Sequence, residues 1–299
     1  MALNLAIYTR VRRGMHVLIS DREHNAVLRP ILRLCREGVI EYDIFPTDGD
    51  VIGAISSRIR ENTAMLVACH VSNVTGFTLP LPEIGALCRK RGLYFIVDAA
   101  QSAGHLPLDH ALVGWDALAA PAHKGLFGIT GLGFCALKGN QDLRPFLSGG
   151  SGVDSLSPDM PNDPPERFEA GTLPTVGAAA LLAGVRYVKE CGLEAIAERE
   201  ARLKARLLEG LSVMRGIRLY EPECPGGLIA FNHLTTPPDR LAERLDAHGI
   251  CVRAGYHCAP LAHQTVGTPE GGCVRLSLSH TNSERDCARF LDALQSILK

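Results

Sequence analysis

The sequence predicts an α/β protein: a mostly parallel sheet with helices on both faces, followed by a smaller α+β domain. Three observations carry this. Short β-rich runs alternate with helical periodicity through the first half of the chain. Two of those runs, Met65-Leu-Val-Ala-Cys and Tyr94-Phe-Ile-Val, are apolar without alternation, as befits strands covered on both faces. Beyond a stretch rich in Gly, Ser, Pro and Asp at 143–174, the pattern changes to two long helices and short strands. At 299 residues the chain exceeds the usual single-domain size, and the expected division is a large domain over 1–192 and a small one over 193–299.

A helix opens the chain at Ala2. Strands are expected at 16–20, 42–45, 64–70, 94–98 and 115–119, with helices at 27–37, 51–60 and 81–90 between them. Such β-α-β repeats close by right-handed crossovers, which makes the strands parallel. The stretch 143–174 is too long for an ordinary connection and reads as a functional loop. A helix over 175–190 follows. Its apolar run, 176–185, is rich in Ala and Gly and about half the roughly 20 residues of a membrane span, so a buried helix and no membrane association are expected. A charged helix over 193–214, strands near Ile217, Leu228 and Cys251, and a closing helix from Ser283 complete the series.

Hydrophobic residues make up 46% and charged residues 21% of the chain, a globular rather than a disordered composition. The net charge is −1 and the densest basic patch is Arg10, Arg12 and Arg13, which gives no electrostatic footprint for nucleic acid and favours a small-molecule substrate. The opening Met-Ala-Leu-Asn lacks a basic region followed by a long apolar core, so the expected location is the cytoplasm. Ten cysteines without a C-x-x-C pair argue against zinc ribbons and a disulfide framework; most are expected to be reduced and inert, and no metal is expected.

In open α/β sheets ligands sit beyond the C-terminal strand ends, so polar residues there are informative. Asp98 closes an apolar run; it either caps the next turn or keeps a pyridine nitrogen protonated. Lys124, in Ala122-His123-Lys124-Gly125, is either a solvated surface group or a Schiff-base lysine made nucleophilic by partial burial. His70-Val-Ser-Asn73-Val-Thr-Gly76 is a third polar strand end. The glycines from Gly125 to Gly133 lack the register of a nucleotide loop and read as backbone beside the lysine.

Asp98-x-x-Gln101 followed by His123-Lys124 is similar to the class V aminotransferase superfamily. Glu23-His24-Asn25, Ser72-Asn73-Val-Thr-Gly76, Arg167-Phe-Glu-Ala-Gly171-Thr172 and Arg253-Ala-Gly-Tyr-His-Cys258-Ala resemble, in order and spacing, its cysteine desulfurase and selenocysteine lyase group. The resemblance runs from residue 2 to the C-terminus and implies a fold type I transferase dependent on pyridoxal 5′-phosphate. In that likeness His24 stacks on the pyridoxal ring, Asp98 pairs with its nitrogen, and Asn73 and Gln101 bond its phenolic oxygen or the substrate side. Lys124 binds the cofactor and moves the substrate proton. His123 reaches the phosphate, and Thr172 reaches the phosphate of a neighbouring subunit, which implies a homodimer. Arg275, assisted by Arg253, clamps the substrate carboxylate with a fork that Lys cannot supply.

Cys258 separates desulfurases from plain aminotransferases: its thiolate, favoured by Arg253 and His257 nearby in sequence, takes sulfur from L-cysteine, leaving L-alanine and a persulfide for an acceptor protein. Selenocysteine is the alternative substrate. Two rival readings stay open, another class V reaction such as transamination and a non-catalytic dimer partner. Resembling enzymes place a Gly/Thr-containing phosphate-binding turn before the helix that here starts at Ala2, so the expectation is an N-terminally truncated member lacking that turn. Pro121 stands where many of them carry a phosphate-binding Ser.

Overall fold

A computed structural model describes residues 1–139 and 143–299. The chain divides into two compact units. The first comprises Met1–Asp21, Ala26–His70 and Pro80–Glu190; the second comprises Arg22–Asn25, Val71–Leu79 and Cys191–Lys299.

The first unit runs α1 (Ala2–Arg10), β1 (Met15–Ser20), α2 (Asn25–Arg36), β2 (Ile40–Phe45), α3 (Val51–Ser56), β3 (Thr63–Cys69), α4 (Leu81–Arg91), β4 (Tyr94–Asp98), α5 (His110–Val113), β5 (Ala117–Pro121), β6 (Gly133–Leu137) and α6 (Thr175–Cys191). Its six strands lie in the order β2-β1-β3-β4-β5-β6. All neighbours are parallel except β5 and β6. The α/β class with a mostly parallel sheet is as expected. The non-alternating runs are its middle: Met65, Leu66, Val67, Phe95, Ile96 and Val97 are fully buried. Cys69 pairs with Asp98, and Asp98 with Ala119, so β3 and β4 end level with one another while β5 runs two residues further, to Pro121, against β6. The ladder continues past them, His70 N–H donating to Asp98 O and Ala99 N–H to Ala119 O, both at 2.9 Å.

Differences from expectation have local causes. The strand expected at 115–119 starts two residues later, at Ala117; at its head the Phe95 N–H goes to Asp116 Oδ2 at 2.9 Å in place of a backbone carbonyl. The helix expected at 51–60 stops at Ser56. The edge strand β6 went unread because Gly131 and Gly133 resemble loop text. The run 176–185 does not form a buried helix: in α6 only Gly177, Gly184 and Val188 are buried, while Val176 is 78% and Leu182 50% exposed. Gly184 explains the one-sidedness, since a Cβ there would strike the Leu126 carbonyl oxygen; α6 presses its small residues onto that backbone and leaves its larger ones outward.

The second unit adds α7 (Leu193–Ser212), β7 (Ile217–Tyr220), β8 (Leu228–His233), α8 (Pro238–Ala247), β9 (Arg253–Gly255), α9 (Pro260–Val266), β10 (Cys273–Ser277) and α10 (Glu284–Leu298). Its antiparallel sheet has the order β7-β8-β10-β9. Leu203, Leu207 and Leu211 of α7, Leu241 and Leu245 of α8, and Phe290 and Leu294 of α10 pack with Phe231 and Val274 into one core. The α8 helix was missed because Pro237-Pro238 reads as a breaker, whereas a proline in the first turn starts a helix well. Ser283 caps α10 in a reciprocal capping box with Asp286.

Backbone contact also fixes the turn after β5. Gly104 has φ +85°, and a Cβ on it would run into the carbonyl of Gly125, the residue after Lys124. Gly14 shares the positive φ (+84°) with no atom within 4 Å of a Cβ. Gly14→Ala should therefore cost about 1 kcal/mol for the backbone alone, and Gly104→Ala about 1–3 kcal/mol more for overpacking. Urea unfolding of the two variants checks this; equal losses would contradict the close approach.

Candidate active-site residues

In the first unit, Asp98 ends β4 with its side chain buried, and its Oδ1 accepts the Ala100 N–H at 2.9 Å. The capping role and a functional role are thus compatible. Burial pushes the Asp98 carboxyl upward, while the Ala100 N–H and the nearby Lys124 charge pull it down. Asp98 and Lys124, neighbours only through the fold, are therefore in electrostatic contact. His123 and Lys124 are exposed on a tight turn closed by Phe127 N–H to Lys124 O (2.9 Å) and Gly128 N–H to Ala122 O (2.8 Å). Gln101 is half-buried in the turn that follows Asp98. Thr172 is exposed in the strand-free segment before α6.

His70, at the third strand end, is buried, and its Nδ1 has no hydrogen-bond partner; burial lowers its pKa to about 4.

The second unit assembles the other predicted residues. Its buried frame is Arg22, whose guanidinium meets both carboxylate oxygens of Glu221 at 2.8 and 3.0 Å and lies 4.4 Å from the Phe77 ring centroid. Thr75 Oγ1 donates to the same carboxylate at 2.5 Å. This network holds segments 22–25 and 71–79 in the second unit. His24 is half-buried on the first of them, and the next residue, Asn25, donates its N–H to Cys258 O at 2.7 Å. Asn73, on the other, donates from Nδ2 to His257 O at 2.8 Å and accepts at its carbonyl from Arg275 at 2.7 Å.

Cys258 is exposed, with Arg253 4.0 Å from its sulfur. Cys258 and the preceding His257 both take positive φ, 57° and 50°, a conformation that side-chain-bearing residues avoid and that concentrates at functional sites. His257 does not supply the cation expected of it beside the thiol. Its side chain points inward, and burial lowers its pKa to about 4, so the ring is neutral at pH 7. Arg253 is left as the positive charge next to the sulfur.

Arg253 and Arg275 sit directly opposite each other on β9 and β10. Like charges facing across a strand pair are unfavourable. No acidic side chain pairs with either among the described residues, and Arg275 Nε is buried without a partner. Burial, then the Arg253 charge, pushes the Arg275 pKa down. Two facing guanidiniums without a counter-ion form a site for an anion, and a carboxylate matches the fork. Sequence spacing could not show this opposition, because the β9–β10 register is set by the fold.

Glu221→Ala should destabilise the chain by about 3–5 kcal/mol, because it takes the carboxylate away from a buried guanidinium; urea titration measures the loss. The acid response has a definite sign. His70 and His257 have folded pKa values of about 4 against 6.5 for the free side chain. The unfolded chain thus binds more protons between these values, so their contribution is full above pH 6.5 and drains as pH falls toward 4. Melting temperature should drop over that window, and His70→Asn should flatten the slope; an unchanged slope would refute the assignment.

The family description aminotransferase class-V matches residues 1–290. A probable cysteine desulfurase of Methanothermobacter thermautotrophicus is 34% identical over 297 residues, spanning 96% of this chain and 74% of that protein. A cysteine desulfurase of Salmonella agona is 34% identical over 295 residues, spanning 96% and 72%. Among solved structures, the apo cysteine desulfurase of Thermococcus onnurineus NA1 superposes with a TM-score of 0.90 at 30% identity, over 99% of this chain and 76% of that one. The fold, the matched length and the identity to these enzymes place the chain in the class V aminotransferase family.

Proposed function

We propose that the chain is a pyridoxal phosphate-dependent cysteine desulfurase that moves sulfur from L-cysteine to Cys258, releases L-alanine and passes the persulfide sulfur to an acceptor protein. The observation that carries this reading is the joint presence, in the second unit, of an exposed thiol on a strained loop and two facing arginines that have no acidic partner among the described residues and can hold a carboxylate. An amino-acid substrate brings the anion that Arg253 and Arg275 lack. The cysteine desulfurases at 34% identity support the same activity.

The first unit fits the cofactor. Asp98 is a buried carboxyl at a strand end, whose charged form burial disfavours and a protonated ring nitrogen would compensate. The backbone around Lys124 is fixed by the Gly104–Gly125 approach. His24, Asn73, Gln101, His123 and Lys124 are assigned to hold the cofactor. When bound, pyridoxal phosphate supplies an electron sink for the carbon bearing the amino group. Lys124 acts at that carbon as acid and base. The Cys258 thiolate attacks the substrate sulfur: a sulfur–sulfur bond forms, the carbon–sulfur bond breaks, and the carbon keeps the electron pair and takes a proton to give alanine.

A homodimer is assigned on the apolar surface that one copy leaves exposed, including Ile129, Leu173, Val176 and Leu182, with Thr172 beside it in sequence. A cytoplasmic location accords with ten cysteines that are all free. No described helix is long and apolar enough to cross a membrane.

The test is the absorption spectrum of the purified chain with pyridoxal phosphate, before and after L-cysteine. A long-wavelength band lost in Lys124→Ala, with alanine release lowered at least 100-fold in Cys258→Ser, is expected. Alanine release that persists in Cys258→Ser would move the chain to another class V reaction. Absence of the band at saturating cofactor would make it a non-catalytic partner.

A further inference from the structure

Behind the Cys258 loop, the buried side chains of His257, His263 and Cys273 bring their nitrogen and sulfur atoms within 4.8 Å of one another. That spacing admits a metal ion, but the ring geometry decides otherwise. The two imidazole planes lie 10° apart with centroids at 5.4 Å, and Nδ1 of His257 is 3.2 Å from Nε2 of His263. The centroid distance exceeds the nitrogen contact by about one ring diameter, which only a coplanar, head-on approach gives. Nitrogens aimed straight at each other share a proton, whereas tetrahedral metal ligands converge at an angle.

The proton's place follows by elimination. Nε2 of His257 is 3.1 Å from the Arg253 carbonyl, which can only accept, so that nitrogen carries hydrogen. His257 is neutral, so its Nδ1 is bare and must accept from Nε2–H of His263. Burial also lowers the His263 pKa, against a hydrogen bond to the Tyr256 carbonyl; with its one hydrogen on Nε2, its Nδ1 is bare in turn and accepts the Thr268 hydroxyl at 2.9 Å. One directed chain runs from Thr268 through His263 and His257 to the Arg253 carbonyl. Cys273, 4.0 Å from His257 Nδ1, is a bystander thiol that burial pushes up to about 12.

We propose that His263 is a positioning residue for Cys258, acting through His257. His257 and Cys258 hold their positive φ because surrounding bonds over-determine it. Asn73 and Asn25 pin the two carbonyls, and the His257 ring ties the loop back to Arg253, the residue beside the thiol. Without the His263 donor, His257 Nδ1 keeps only the Cys273 thiol at 4.0 Å, a weak donor, and the ring loses the bond that fixes its tautomer. The loop then loses the placement of sulfur against Arg253. This deepens the desulfurase reading and rests on it only for the identity of the nucleophile.

The test measures the iodoacetamide alkylation rate of Cys258 in the cofactor-loaded full chain, resolved from the other cysteines by peptide mass spectrometry. His263→Leu removes the donor; His263→Gln returns an N–H near the Nε2 position. The expected result is about a tenfold slower Cys258 alkylation in His263→Leu, recovery to within about threefold in His263→Gln, and an unchanged cofactor band in both. Wild-type alkylation in folded His263→Leu, or a Gln variant as slow as Leu, overturns the proposal. Should His263→Leu fail to fold, Thr268→Val removes the head of the chain instead: slower Cys258 alkylation supports the proposal, and an unchanged rate overturns it. Alkylation needs no turnover, so a wild-type chain that makes no alanine sinks the desulfurase reading without touching this one.

Discussion

The second unit depends on one ion pair. Arg22 is 1% exposed and Glu221 19%, and a guanidinium withdrawn so far from water is tolerable only with its carboxylate in place. Arg22 stands at the head of 22–25 and lies against Phe77 of 71–79, while Thr75 donates to the same carboxylate. The pair therefore fixes where His24, Asn25 and Asn73 stand. Asn25 and Asn73 in turn bind the carbonyls of Cys258 and His257. A single desolvated charge pair thus underlies the strained loop that presents the thiol.

In the first unit backbone packing does the equivalent work. Glycine at 104 and 125 lets two turns approach more closely than any side chain allows, and Gly184 lets α6 close on the Leu126 carbonyl. The level ends of β3 and β4 at Cys69 and Asp98, with β5 carrying on toward Lys124, then place a buried carboxyl and a lysine in electrostatic contact at the end of the sheet. The two units reach a defined geometry by different means, one by charge and side-chain bonds and the other by the absence of side chains.

Much of this was legible in the residues. Asp98 stood out as a carboxylate closing the apolar run Tyr94-Phe-Ile-Val, where a cap and a functional role were both open readings. Lys124 and Cys258 needed the family resemblance, since a lysine in a glycine-rich turn and a loop cysteine are each ordinary alone. The inward turn of His257 was illegible: its left-handed φ sends the ring away from the thiol its neighbour carries, and no pattern in Arg253-Ala-Gly-Tyr-His-Cys announces that. The facing of Arg253 and Arg275 depends on a register between strands separated by a helix. The exposure of α6 escaped for another reason, since composition tells how apolar a segment is but not which of its faces finds a partner within one chain.

Glu221 meets Arg22 across 199 positions of sequence. The second unit draws its anchors from the first quarter of the chain and its sheet from the last third. During synthesis Arg22, Asn25 and Asn73 emerge long before Glu221 and Cys258, and so long a loop must close before its contacts reward closure. The Cys258 loop is therefore among the last parts able to take its final shape, and a ribosome-bound or C-terminally clipped chain carries Asp98 and Lys124 before it owns the contacts that hold Cys258.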